Sequence, residues 1–163
     1  MLQTGMPAEM RIRPLGPGDL ADVERHLLSL DIRDRNARFG GAVSDEGISR
    51  YVRRTDFSRT VLVGAIEPGD GRIIGLGEAQ PTDRPGVMEL AVTVDRAYRR
   101  RELGQHLLKQ LLTLAFIHGA EIAEFIFDPG NGAIAGLIRT LGVRVDPTLD
   151  RAEILRSAFR DVA

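Results

Sequence analysis

Residues 87–108 read VMELAVTVDRAYRRRELGQHLL and join two strong structural signals through a basic loop. The first part, Val87–Val94, is mostly apolar or β-branched, which predicts a buried strand. Leucines at helical spacing then predict an amphipathic helix from about Leu103 to His118. Another strand should follow at 122–127. A strand, a helix and a strand in this order predict a right-handed crossover with parallel strands.

The region before this unit predicts one short strand and two helices. The strand lies at 10–15, and a helix begins after Asp19, a good N-cap residue. Residues 31–43 are polar and contain glycine, so we expect a loop there. Ser44 can cap the second helix, whose start is acidic and whose end is basic, as the helix dipole favours.

Three predicted strands are separated only by short turns, at 60–66, 72–79 and 87–94. Strands joined in this way should pair antiparallel as a meander. After the strand at 122–127 we expect a helix that Gly142 ends and a strand that begins at 143–145. The last stretch, 151–163, fits a strand or a helix equally well.

The chain has 163 residues, a formal net charge of −1 and no cysteine. Without a linker or repeat, we expect one domain at 10–163 after a disordered tail at 1–9. The absence of cysteine excludes disulfides and thiolate nucleophiles and favours a reducing, cytoplasmic location. The histidines lack metal-ligand spacing, so we expect no metal. The net charge disfavours nucleic-acid binding, and no apolar run reaches the ~20 residues of a membrane span.

The basic loop leads directly into the long helix, an arrangement typical of a phosphate site. The first backbone N–H groups of a helix have no partner within it, and the helix dipole adds positive potential there. Arg99 and Arg101 can donate charge-assisted hydrogen bonds to phosphate oxygens, and Gly104 permits close approach to the backbone. A solvated basic loop before an ordinary helix is the alternative interpretation.

With these residues the stretch resembles the acetyl-CoA site of the GNAT superfamily of N-acetyltransferases. The family signature is Gln or Arg, two residues, Gly, one residue, then Gly or Ala, at the start of a helix after the fourth strand. The residues on that pattern are Arg99, Leu103, Gly104, Leu107 and Leu108. The resemblance covers about residues 10–145 and is strongest to GNAT domains of bacterial protein-lysine acetyltransferases. It implies an α/β (α+β) fold, a mixed, mostly antiparallel central sheet flanked by about four helices, with acetyl-CoA as co-substrate.

The proposed chemistry requires a base, because an ammonium must lose a proton before its nitrogen attacks a thioester. Glu89 is the candidate, since it is the ionisable residue within the strand at 87–94. Alternation places it on one face with Val87, Ala91 and Thr93. The resemblance implies the same role, directly or through water. A solvent-exposed glutamate at the rim of the sheet is the alternative.

The resemblance also implies which residues bind the cofactor. In relatives a bulge opens the fourth strand, so the backbone N–H groups around Val92 and Val94 should hold the acyl carbonyl and the pantetheine amides. The pyrophosphate should lie on Arg99, Arg101, Leu103, Gly104 and Gln105. Asn131 is similar to a cofactor-side asparagine of relatives, although a plain helix cap fits it equally well.

Two departures from the family pattern affect the predicted function. Glu102 replaces the first glycine of the motif and places a carboxylate near the pyrophosphate. The tyrosine that many relatives use as general acid falls at Ile138, which cannot donate a proton. The sequence therefore predicts an acetyl-CoA-dependent N-acyltransferase whose acceptor is a primary amine, either a small molecule or a protein lysine. The alternative is a non-catalytic acyl-CoA-binding sensor. The sequence does not define the oligomeric state, and a homodimer is one possibility.

Overall fold

A central sheet of six strands, in the order β1-β2-β3-β4-β5-β6, organises the part of the chain that the structure describes. The structure is a computed structural model and describes residues 10–99, 102–127, 132–143 and 150–159. The strands are β1 (Arg11–Pro14), β2 (Val61–Ile66), β3 (Ile73–Pro81), β4 (Val87–Val94), β5 (Ile122–Ile126) and β6 (Arg151–Leu155). The helices are α1 (Leu20–Ser29), α2 (Ile32–Phe39), α3 (Asp45–Arg53), α4 (Leu103–Ile117) and α5 (Gly132–Arg139).

Strand pairing confirms the predicted topology. The strands β1 to β4 form an antiparallel meander, and β5 pairs antiparallel with β6. Only β4 and β5, which α4 connects, pair parallel within the described residues. The mixed, mostly antiparallel sheet with helices on both faces is the α/β fold that the sequence predicts.

Each face of the sheet carries its own helical layer. Gly75 and Gly77 of β3 face α4, and a Cβ at Gly75 would lie 2.6 Å from a methyl group of Leu107. The lack of a side chain there lets α4 pack close to the strand. Alternate residues of β3 face the other way, where Leu76 packs in one apolar cluster with side chains of α1 and α3.

The loop predicted at 31–43 is wrong, because the structure has the helix α2 there and thus five described α-helices instead of about four. Asp31 caps α2 by accepting a hydrogen bond of 2.9 Å from the backbone N–H of Asp34. Gly40 ends it in a left-handed conformation with φ 70°. Polar composition therefore hid a well-capped helix.

The C-terminal part of the chain shows that residues 151–155 form a strand, whereas most of the strand predicted at 143–145 lies outside the described residues. Residues 151–155 form the edge strand β6, whose side chains alternate between buried and exposed. Of the strand predicted at 143–145, Val143 belongs to no strand, and residues 144–145 lie outside the described residues. The tail predicted at 1–9 also lies outside them.

Candidate active site

Strands β4 and β5 separate halfway along β4. Strand β4 pairs with β3 along its length to Val94, but its pairing with β5 ends at Glu89, opposite Glu124. The register between β3 and β4 runs without a shift, so the opening arises from divergence of β4 and β5 and not from the expected bulge. The second half of β4 thus has one free edge.

The backbone groups of Val92 and Val94 point into this opening. Two backbone hydrogen bonds show which residues of β4 bond to β3. The N–H of Asp95 donates to the carbonyl of Ile74 over 2.9 Å, and the N–H of Thr82 donates to the carbonyl of Val87 over 3.2 Å. In an antiparallel pair such bonds recur at every second residue, so the odd-numbered residues of β4 bond to β3. The even-numbered Val92 and Val94 direct their N–H groups away from β3, as the sequence hypothesis requires.

The start of α4 lies against the end of β4. The first hydrogen bond within the helix runs over 3.1 Å from the N–H of His106 to the carbonyl of Glu102, so the N–H groups of residues 103–105 have no helical partner. A Cβ on Gly104 would lie 3.8 Å from a methyl group of Val94 and 3.4 Å from one of Leu137. The structure therefore brings the free helix end and the open strand edge together.

Glu102 precedes α4 in a left-handed conformation, with φ 60° and ψ 0°. Among the described residues it is the only one other than glycine with a positive φ. Glycine adopts this conformation without strain, whereas a side chain costs roughly 1–2 kcal/mol there. The side chain is exposed and makes no capping hydrogen bond. The backbone thus keeps the shape that a glycine of the motif would favour.

Arg99 lies at the opening but is already paired with α2. Its Nε donates 3.0 Å to the carbonyl of Val94, and a terminal nitrogen lies 2.6 Å from the Asp34 carboxylate. Arg96 makes a similar ion pair of 2.6 Å with Asp31. These contacts could not be expected from the sequence, whose polar residues 31–43 predict a loop. Arg101 and Asn131 lie outside the described residues.

Glu89 is a half-buried carboxylate without a neutralising partner. Its cross-strand neighbours are Gln80 on β3 and Glu124 on β5. The buried Glu124 lies 3.2 Å from Arg84 and 3.3 Å from Arg151. No hydrogen bond or ion pair joins Glu89 to any residue that the structure describes. A carboxylate in this state is available to accept a proton from a substrate.

A family model, the acetyltransferase (GNAT) family, matches residues 29–143. The chain belongs to the GNAT acetyltransferase family. Members of this family transfer an acyl group from acetyl-CoA to an amine, which agrees with a helix start of unpaired N–H groups beside an open strand. No curated relative matches the chain.

Solved structures support the fold of this GNAT chain. The GNAT domain of S. lividans PAT is 19% identical, with a TM-score of 0.72 and 90% coverage of each chain. Spermidine N-acetyltransferase from Vibrio cholerae, in complex with CoA and spermine, is 15% identical, with a TM-score of 0.71 and coverage of 93% of this chain and 98% of that one. A cAMP-binding acyltransferase from Mycobacterium smegmatis is 20% identical, with a TM-score of 0.63, and the match spans 94% of this chain and 45% of that one.

A buried polar network supports the face of the acetyltransferase on which Glu89 lies. Arg38 of α2 lies 2.7 Å from the Glu78 carboxylate of β3, and the Tyr51 hydroxyl of α3 donates to the same carboxylate over 2.9 Å. Tyr51 also accepts a bond of 3.0 Å from the side-chain amide of Gln80, the neighbour of Glu89. Burial, with the Glu78 carboxylate beside it, raises the pKa of the Tyr51 hydroxyl, so it stays protonated as a donor. Residues far apart in sequence form this network, and only the isolated Glu78 in an apolar run hints at it.

A cavity of about 320 Å³ opens above this network. Its lining residues are Gly47, Arg50, Tyr51, Arg54, Thr55 and Gln80. Gln80 belongs both to the cavity wall and to the cross-strand pair with Glu89. The cavity therefore lies on the Glu89 face of the sheet, opposite the face on which α4 packs.

Ile138 of α5 lies fully buried in the main apolar core, where it packs with residues of the sheet and of α4. Its aliphatic side chain offers no proton donor there. The side chain of Leu103 is also in the core, so only its backbone is available to a cofactor. No group of His, Cys, Asp and Glu within the described ranges could hold a metal, and none of the described helices is long and apolar enough to span a membrane.

Proposed function

We propose that this GNAT acetyltransferase moves the acetyl group of acetyl-CoA to a primary amine by direct attack, with Glu89 as general base. The observation that carries this proposal is the unpaired, half-buried carboxylate of Glu89 at the point where β4 leaves β5. Its buried neighbours Glu78 and Glu124 are both neutralised by arginines. Glu89 is thus the carboxylate on this face that is free to take a proton.

The cofactor is held by backbone groups on the other side of the opening. The N–H groups of residues 103–105 meet the pyrophosphate at the start of α4, where unpaired donors and the helix dipole favour an anion. The N–H groups of Val92 and Val94 donate to the pantetheine amides and to the acyl carbonyl. Arg99 reaches the phosphates after exchanging its contact with Asp34, and Arg101, Gln105 and Asn131 complete the proposed set.

The reaction then follows in balanced steps. Glu89 removes a proton from the substrate ammonium, directly or through water, and the free amine nitrogen forms a bond to the thioester carbon. Backbone N–H donors of β4 stabilise the oxyanion of the tetrahedral intermediate. Collapse breaks the carbon–sulfur bond and expels the CoA thiolate. Because Ile138 cannot donate a proton, water carries the surplus proton of the newly acylated nitrogen to the thiolate, which leaves a neutral amide and the CoA thiol. The proton on Glu89 returns to solvent.

Thiol release from acetyl-CoA over a panel of amines, including a lysine peptide, tests this function. The variant Glu89→Gln should lower kcat by roughly 10²–10⁴ at pH 7, the range typical of a lost general base, while the Kd for CoA stays unchanged. The deficit should shrink above pH 10, where an amine with a pKa near 10.4 loses its proton without help. Glu153→Gln is the matched control, because Glu153 is an exposed glutamate of β6 on the same face. If Glu89→Gln keeps most of its activity at pH 7, Glu89 is not the base.

A non-catalytic acyl-CoA-binding module is the second candidate, favoured by Glu102 at the motif and by Ile138 in the core. It predicts that CoA raises the melting temperature while no amine is acetylated. Turnover of any amine above the rate of acetyl-CoA hydrolysis excludes it.

A further inference from the structure

The cavity beside Glu89 carries positive charge that nothing described in the chain neutralises. Arg50 and Arg54 lie one helical turn apart at the end of α3, and both line the cavity. Both are exposed, and neither has a side-chain hydrogen bond or ion pair with a described residue. No carboxylate is among the described residues that line the cavity.

Two other arginines on this face of the sheet are paired. Arg38 meets Glu78, and Arg35 lies 2.6 Å from Asp45. Two arginines at positions i and i+4 repel one another slightly unless an anion lies between them. The free pair at the cavity is therefore a site for an anion that the chain itself does not supply.

The cavity is close to the proposed base. Gln80 lines it and is the cross-strand neighbour of Glu89, and such neighbours have Cβ atoms about 5 Å apart. The Tyr51 hydroxyl is already engaged by Arg38, Glu78 and Gln80, so it offers little to a ligand. The guanidinium groups are the strongest available donors, and the planar fork of each can donate to two oxygens of a carboxylate or phosphate.

We infer that the acceptor is a small amine that also carries an anionic group, a carboxylate or a phosphate, which Arg50 and Arg54 bind while the amine meets Glu89. This inference rests on the proposed function, since it deepens the same site. A volume of about 320 Å³ lies at the lower end of the range of small-molecule sites. The acidic residues at the start of α2 do not create a competing site for a polycation, because Arg96 lies 2.6 Å from Asp31 and 3.9 Å from Asp34.

Two acceptors that differ only in the anionic group, 6-aminohexanoate and hexylamine, test the inference. We expect kcat/KM to be at least tenfold higher for 6-aminohexanoate. Arg50→Ala and Arg54→Ala should each reduce this preference to less than threefold, through a higher KM for 6-aminohexanoate. Arg53→Ala is the matched control, because Arg53 is exposed and unpaired among the described residues on the same helix but does not line the cavity. It should keep the full preference.

Equal kcat/KM for the two acceptors, or an equal loss in Arg53→Ala, overturns the inference. In the latter case the arginines only stabilise the end of α3 through the helix dipole. If no amine is acetylated at all, the proposed function fails, and an NMR titration of the CoA-saturated protein still decides the anion site. Binding of 6-aminohexanoate but not hexylamine, lost in Arg50→Ala and Arg54→Ala alone, supports the site; equal or absent binding of both refutes it.

Discussion

Replacing Arg38 by methionine should destabilise the protein strongly. The Arg38 side chain is 9% exposed and its partner Glu78 is 2% exposed, with 2.7 Å between charged atoms. Without the guanidinium, Glu78 keeps a buried charge with only the Tyr51 hydroxyl as donor. Breaking a buried ion pair from one side typically costs 3–5 kcal/mol, so Arg38→Met should lose about that much free energy of unfolding.

A double-mutant cycle separates the pair from its individual side chains. In Arg38→Met combined with Glu78→Gln the buried charge is gone, so the double variant should be about 2 kcal/mol more stable than the sum of the single changes predicts. Urea unfolding monitored by circular dichroism measures each free energy, provided that the slopes agree. Arg25→Met is the control, because the ion pair of Arg25 with Asp22 is exposed and should contribute less than 1 kcal/mol. A cost below 1 kcal/mol for Arg38→Met, or a double variant whose stability equals the sum of the two single changes, would show that Arg38 does not neutralise a buried charge on Glu78.

Further predictions concern the cofactor side of the site. Asp34→Asn should tighten CoA binding up to about fivefold in calorimetry, because a partly exposed ion pair that competes for Arg99 is worth at most about 1 kcal/mol; weaker binding would contradict this. Glu102→Gly should also tighten CoA binding a few-fold, since it removes a carboxylate beside the phosphates. Its melting temperature should change little, because relief of the left-handed strain at Glu102 offsets the greater flexibility of glycine in the unfolded chain. Ile138→Tyr should lower the free energy of unfolding by about 1–3 kcal/mol without raising kcat, because the ring would enter a filled core instead of the site; a gain in kcat would show that the position faces the cofactor.

The sheet and the long helix were predictable because their signals are local and mutually consistent. The apolar, β-branched residues 87–94 have no competing helical period, and the structure confirms the strand with the same bounds. Leucines of α4 repeat along one stripe, and short turns leave the meander as the natural pairing. The parallel pairing of β4 with β5 follows from the helix between them.

The helix α2 could not be predicted, because long-range contacts stabilise it more than its own composition does. Its residues Asp34 and Arg38 pair with Arg99 and Glu78, which lie 65 and 40 positions further along the chain. A sequence pattern shows the charges but not their partners. Consequently the analysis treated Arg99 as a free phosphate ligand, whereas the structure pairs it with Asp34.

The sequence proposes a set of site residues but not their geometry. Glu89 stands out in the sequence as a lone acid in an apolar strand, yet its lack of a partner depends on where Arg84 and Arg38 lie. The opening at Val92 and Val94 depends on where β5 stops pairing. The free arginines Arg50 and Arg54 look in the sequence like an ordinary basic end of a helix.

The account depends most on the claim that the open edge of β4 and the start of α4 form one cofactor site. An NMR titration of the isotope-labelled protein with CoA tests it directly. The account predicts saturable shifts of the backbone amides of Val92, Val94, Leu103, Gly104 and Gln105. The absence of shifts at millimolar CoA, or shifts confined to the separate cavity beside Met10 and Glu67, would contradict it.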